Sequence, residues 1–229
     1  MSRLLTFVLA VAVSFGALAA HVPEGRHHDV RLTDFAVNRI SVIGDSYTTG
    51  GDEGGVGANG WTTQVWRALT RYGIAVTPTV AAEGGAGYCT RGNRGSVFED
   101  LTVRAVKPTD ALVVFFGSRN DIDVDPTRLS IAMYGTLQMA RQIARSAKFL
   151  VIGPPWPTAD PPPTITRIRD VLGYQSELAG ATFVDPIAAR WFVDRPGLIG
   201  ADGVHPTDAG HAYMAEKLAP LISAALNPY

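Results

Sequence analysis

Apolar and polar positions along this chain follow two alternating rhythms. Short apolar runs rich in β-branched and aromatic residues occur at 40–43, 74–80, 111–116, 149–152 and 182–184. Their length and composition predict buried strands. Between them the apolar positions recur at helical spacing. Trp61, Val65, Trp66 and Leu69 share one helix face, with Thr62 or Thr63 as a cap and Gly73 as the stop. Residues 128–147, 164–178 and 208–226 read as longer helices, and 187–192 as a brief one. Pro78 suits an edge strand, since it cannot donate to a ladder. Strands alternating with helices from Ile40 onward predict an α/β domain with a doubly wound, mostly parallel sheet.

Glycine, proline and polar residues punctuate this pattern at the carboxyl ends of the strands. Gly44-Asp45-Ser46-Tyr47 closes the first run, and the glycine-rich stretch 50–60 follows. Ser46 is thus at a strand tip, held by a rigid element yet exposed. The same position also suits a helix cap, so Ser46 alone does not decide between the two. Glu83-Gly84-Gly85-Ala86-Gly87-Tyr88 follows the second strand, where glycine lets a backbone N–H approach a ligand closely. Asn120 follows the third strand, and Gly153 to Pro163 is a stiff proline loop after the fourth. Asp202-Gly203-Val204-His205-Pro206 precedes the last helix, and Pro206 suits its start. A tight turn there aims the Asp202 carboxylate at one imidazole nitrogen of His205 and leaves the other free. Alone, this spacing more often marks a helix-capping turn. His211, inside the last helix, reads as a packing or surface residue.

Composition narrows the classes. The 229 residues are 46% hydrophobic and 18% charged, enough for one globular domain with a sizeable core. A formal net charge of -1 with no basic run leaves nucleic-acid binding without an electrostatic footprint. Cys89 is the single cysteine, so no intrachain disulfide forms. No Cys/His cluster has metal-ligand spacing, and His27-His28 reads as a solvated pair. Arg3, the apolar run 4–15 and Ala17-Leu18-Ala19 form a secretory signal pattern. The apolar run is shorter than the roughly 20 residues that span a bilayer. The expected organisation is a signal peptide at 1–19, an extended lead-in at 20–38 and one domain at 39–229, secreted or envelope-associated, without a stable membrane span after cleavage.

Ser46, Gly85, Asn120 and His205 each follow a strand, and a parallel sheet brings such strand ends to one edge, where α/β ligands bind. Together they complete the parts for acyl transfer. Ser46 would attack a carbonyl, His205 would take its proton, and Asp202 would orient His205. The N–H groups of Ser46 and Gly85 and the Asn120 amide would hold the oxyanion. The chain thereby resembles the SGNH hydrolases of the GDSL esterase/lipase superfamily, in particular exported actinobacterial members. The blocks are Gly44-Asp45-Ser46-Tyr47, Gly84 to Tyr88, Asn120-Asp121 and Asp202 to Pro206.

This resemblance implies a three-layer α/β/α sandwich with a five-stranded parallel sheet in flavodoxin-like order, and a cofactor-free, metal-free Ser-His-Asp ester hydrolase. Tyr47 stands where leucine is common. The third block has one extra residue, and the second lacks the usual asparagine, leaving Gly84 as the alternative to Gly85. Trp61, Tyr88 and Trp156 are the candidate substrate rim. The expected substrate is a small-molecule, glycan or lipid ester with a short acyl group. Acyl transfer to an alcohol or sugar, and a non-catalytic envelope-binding protein, are the alternatives.

Overall fold

A computed structural model describes residues 37–226. The expected signal peptide, most of the lead-in and the His27-His28 pair lie outside them. Five strands form one parallel sheet: β1 (Asn38–Gly44), β2 (Val76–Ala82), β3 (Asp110–Phe116), β4 (Lys148–Ile152) and β5 (Thr182–Val184), in the order β2-β1-β3-β4-β5. This is the three-layer α/β/α arrangement with flavodoxin-like strand order. Pro78 lies on the edge strand β2, opposite Ile40.

The period-two geometry of a strand sorts its continuous apolar residues onto two faces. In β3, Leu112, Val114 and Phe116 join one core with Ile40 and Val42, against α2 (Trp61–Arg71) and α6 (Asp208–Leu226). Val113 and Phe115 join the other with Ile43, against α3 (Phe98–Ala105), α4 (Pro126–Ile143) and α5 (Pro163–Leu178). A one-turn helix, α1 (Ser46–Thr49), follows β1 directly.

Several boundaries differ from the sequence reading. β2 begins two residues late, because Gly73 at φ 75° turns the chain and the Ile74 amide still donates to Leu69 O (2.9 Å). α4 begins early, since Pro126 occupies its first turn and the Asp125 carboxylate caps the Thr127 and Arg128 amides. No threonine caps α2; Gly60 holds that place. The brief helix expected at 187–192 is a series of turns: Asp185 accepts from the Ile187 and Ala188 amides, and Arg190 at φ 51° breaks the helical path. α3 has no counterpart among the elements expected from the sequence, since its two turns bury only Phe98 and Leu101 as large apolar side chains.

The register puts the strand ends on one line. Gly44 pairs with Ala82 and Phe116, Phe116 with Ile152, and Ile152 with Val184. Every loop leaving the sheet at this edge therefore starts from the same level, which is what gathers distant sequence blocks around Ser46.

Candidate active site

Ser46 is the first residue of α1, immediately beyond β1. Asp45 caps that turn, its Oδ1 accepting from the Tyr47 amide (2.9 Å). A side chain at 44 would meet Thr48 Oγ1 at 2.2 Å, so glycine is required where strand passes into helix. As the first helical residue, Ser46 has an N–H without an intrahelical acceptor. Its Oγ lies 3.1 Å from His205 Nε2, and His205 Nδ1 lies 2.5 Å from Asp202 Oδ2. The other Asp202 oxygen accepts from the Val204 and His205 amides (2.8 and 2.9 Å). The His205 hydrogen bond and these amides hold the Asp202 carboxyl down at about 2, against a smaller opposing effect of burial. Asp202 is thus ionised at neutral pH. It fixes the proton on Nδ1 and leaves Nε2 as the acceptor facing Ser46.

The turn carrying Asp202 and His205 is tied to the rest of the molecule by side chains that the sequence reading did not single out. Glu53, in the glycine-rich loop, accepts from the Ala201 amide (3.0 Å) and the Asp202 amide (3.3 Å). Its carboxylate fills the space beside Gly200, where a Cβ would lie 2.0 Å from Glu53 Oε2. Tyr47 Oη donates to Val204 O (2.5 Å), so the residue that replaces leucine adds a tether between α1 and this turn. Asp208, at the start of α6, accepts from the Gly55 amide (2.8 Å) and Asn59 Nδ2 (2.7 Å), which holds the glycine loop. His211 is fully buried, lies against Gly55 and accepts from the Trp61 amide (3.4 Å). Burial pushes its imidazole down to about 4, so it is neutral at physiological pH. Glutamate within a glycine run has no sequence signature, because its partners are amides some 150 residues away.

At the end of β2, the amides of Gly84 and Gly85 donate to no group among the described residues. Gly84 lines the cleft at Ser46 and Gly85 does not, while Gly85 holds the positive φ (78°) that turns the loop. Gly84 is therefore the better placed of the two for an oxyanion. The loop beyond is anchored by Asp121, whose carboxylate accepts from the amides of Tyr88, Cys89 and Thr90 (2.8–3.0 Å). Asn120 reaches the same sheet edge, but its Nδ2 donates to Ala86 O (2.8 Å) and lies 3.4 Å from Asp45 Oδ2. As an oxyanion donor it must share or exchange one of these bonds. The Asp45 carboxyl is pushed up to about 7 by complete burial, partly offset by its bond to the Tyr47 amide.

The cleft at Ser46 encloses about 580 Å³, within the roughly 300–1,000 Å³ of small-molecule sites. Its walls include Thr49, Asp52, Glu53, Glu83, Asn93 and Arg94, and, His205 apart, no aliphatic or aromatic side chain lines it among the described residues. This corrects the expected rim. Trp61 and Tyr88 are 0% and 2% exposed; Trp61 packs on Phe116 in one core and Tyr88 on Phe98 in the other. Trp156 is half-buried under the Arg119 guanidinium, 4.8 Å from its ring, outside this cleft. Burial raises the Cys89 thiol to about 11, with Asp121 adding to the effect, and Cys89 does not line the cleft.

Residues 42–213 match the model of the GDSL-like Lipase/Acylhydrolase family. The chain belongs to this family. GDSL lipase Rv0518 of Mycobacterium tuberculosis is 55% identical over 229 residues, which cover 99% of each chain. Among solved structures, TesA aligns with a TM-score of 0.67 at 23% identity, over 82% of this chain and 100% of TesA. A family two carbohydrate esterase from Clostridium thermocellum, in complex with cellohexaose, gives 0.65 at 19% identity, over 82% of this chain and 64% of that one. These solved structures share the fold. As a GDSL-family member the protein is a carboxylic-ester hydrolase, and the non-catalytic alternative is set aside. No helix among the described residues is long and apolar enough to cross a membrane.

Proposed function

We propose that this GDSL hydrolase cleaves esters of short acyl groups on polar alcohols, glycans foremost, through an acyl-enzyme on Ser46. His205 Nε2 takes the Ser46 proton as Oγ attacks the ester carbonyl. Asp202 balances the resulting imidazolium. The Ser46 and Gly84 amides, with Asn120 once it releases Ala86, stabilise the oxyanion. His205 then protonates the leaving alcohol, and water repeats the sequence to release the acid. No cofactor or metal takes part.

The observation that carries the substrate reading is the cleft wall. A long acyl chain gains about 0.8 kcal/mol for each CH₂ it buries against apolar surface. Among the described residues this cleft supplies, His205 apart, no aliphatic or aromatic side chain for that, and instead supplies carboxylates, an amide, hydroxyls and a guanidinium. Such walls suit a polyol. Carbohydrate esterases among the structural neighbours are compatible with this reading, though they share only the fold. The signal pattern at 1–19 supports action outside the cytoplasm.

The test is a p-nitrophenyl ester series. We expect the highest kcat/KM at acetyl to butyryl and a fall of at least about tenfold by dodecanoyl. A rate that rises with chain length would replace this reading with a lipase. A cleft of this size also leaves room for an acceptor alcohol beside an acyl-enzyme, so transfer is the second reading. Added glucose that diverts acyl groups from acid to ester would establish it.

A further inference from the structure

The active-site cleft continues beyond Arg94. A second cleft of about 420 Å³ shares Thr49 and Arg94 with it as lining residues. It follows the edge strand β2 past Val80, reaches Trp66 on α2, and is closed on its other side by glycines of the 50–60 loop. The chemistry of its walls is specific. Trp66 is half-buried and offers an aromatic surface at the far end. The Thr49 and Thr63 hydroxyls donate their protons to Gly50 O and Gly57 O (both 2.9 Å), which leaves their oxygens as acceptors. Arg94 Nη2 donates to Ala82 O (2.8 Å), pinning the guanidinium at the junction of the two clefts, while its Nε is 3.8 Å from Glu83 Oε2. The guanidinium therefore keeps N–H groups for a ligand.

An aromatic surface, hydroxyl acceptors and guanidinium donors match the needs of a pyranose. Such a ring has an apolar C–H face and hydroxyls that both donate and accept. Charge separates the two clefts. Asp52, Glu53, Glu83 and Asp202 line the first, whereas no carboxylate lines the second. The first disfavours an anionic sugar; in the second, Arg94 opposes a cationic one, and Glu83, 3.8 Å from its Nε, offsets the attraction for an anion. We propose that the second cleft is a subsite for a further, neutral sugar unit of an acylated glycan, adjoining the unit whose ester is cleaved at Ser46. This rests on the glycan reading of the first cleft.

The experiment compares kcat/KM on mono-acetylated glucose and mono-acetylated cellotriose within one enzyme preparation, so that loss of folded protein cancels from the ratio. We expect the wild type to favour the trisaccharide by roughly three- to tenfold, of the order of one aromatic contact. Trp66→Ala is expected to bring the ratio to about one, and Trp66→Tyr to keep most of it. If the wild type cleaves both sugars equally, the subsite is refuted and the glycan reading survives. If it cleaves neither sugar but does cleave p-nitrophenyl butyrate, the glycan reading itself fails and takes the subsite with it. If Trp66→Ala selectively weakens p-nitrophenyl octanoate relative to the acetate, the groove is an acyl site and the proposal is overturned.

Discussion

The Ser46 side and the His205 side of this site are built on different physical terms. Ser46 follows a central strand whose Ile40, Val42 and Ile43 are fully buried, and the turn that presents it is capped by its own neighbour, Asp45. Asp202 and His205 lie on an irregular turn with side chains 36% and 40% exposed. Apart from local backbone bonds, that turn is held by Glu53 and Tyr47, residues belonging to the Ser46 side in sequence. The strand places the serine as a by-product of folding the core. His205 has no such support, and its geometry is imported through hydrogen bonds. Damage to the first side should therefore cost the fold, and damage to the second should cost turnover with little loss of stability.

Substitutions can break or sharpen this contrast; the largest expected effect is on turnover, at Asn120, which follows β3 and meets both sides at the sheet edge. Asn120→Ala should lower kcat by roughly 10²–10³, the usual cost of one oxyanion donor. An unchanged kcat would mean that its amide stays on Ala86 and never reaches the oxyanion. Next is Glu53→Ala, which frees the Ala201 and Asp202 amides. A displacement of about 1 Å in a base can cost up to about 10²-fold. We expect kcat on p-nitrophenyl acetate to fall roughly ten- to a hundredfold with a melting temperature within a few degrees of wild type. A large drop in melting temperature with kcat preserved in the remaining folded fraction would reverse the contrast. Tyr47→Phe removes one hydrogen bond to Val204 O, worth about 1 kcal/mol, and should slow turnover only about fivefold.

A further effect is on stability rather than turnover and concerns the glycine loop. His211 has its imidazole pushed down to about 4 when folded, against 6.5 as its ordinary value. Below pH 6.5 the unfolded chain binds a proton that the folded chain refuses. Stability attributable to His211 is therefore complete above that pH and is lost as pH falls toward 4, by up to about 3 kcal/mol. Asp45, raised to about 7, acts with the opposite sign: its folded form is favoured at low pH and its contribution fades as pH rises through 7. Urea denaturation at pH 4.5 and 6.5 should show a steeper acid loss in wild type than in His211→Gln. Parallel losses in the two proteins would show that His211 is not the group responsible.

Much of this arrangement was legible in the sequence because it obeys local rules. The β-branched runs marked all five strands, Pro78 marked the edge, and strand-end motifs put Ser46, Asn120 and the Asp202–His205 turn at one sheet edge. What stayed hidden depends on long-range partners. Glu53 sits among glycines and shows its purpose only through amides at 201 and 202. Trp61 and Tyr88 flank loops in sequence, yet their rings turn into the two cores, because large aromatics gain more by full burial than by lining a polar cleft. The choice between Gly84 and Gly85 depends on which of two adjacent glycines reaches the cleft, which the sequence does not mark. The 187–192 segment had helical composition, but Arg190 and the Asp185 cap set a different turn.

The central claim is that Ser46 is a nucleophile activated by the imported His205. Fluorophosphonate labelling of the purified protein, followed by intact mass and peptide mapping, tests it most directly. The account predicts one adduct, on Ser46, formed rapidly in the wild type and lost in His205→Ala with the fold intact. A folded wild-type protein that takes no label, or one labelled on Ser46 at the same rate with and without His205, would contradict it.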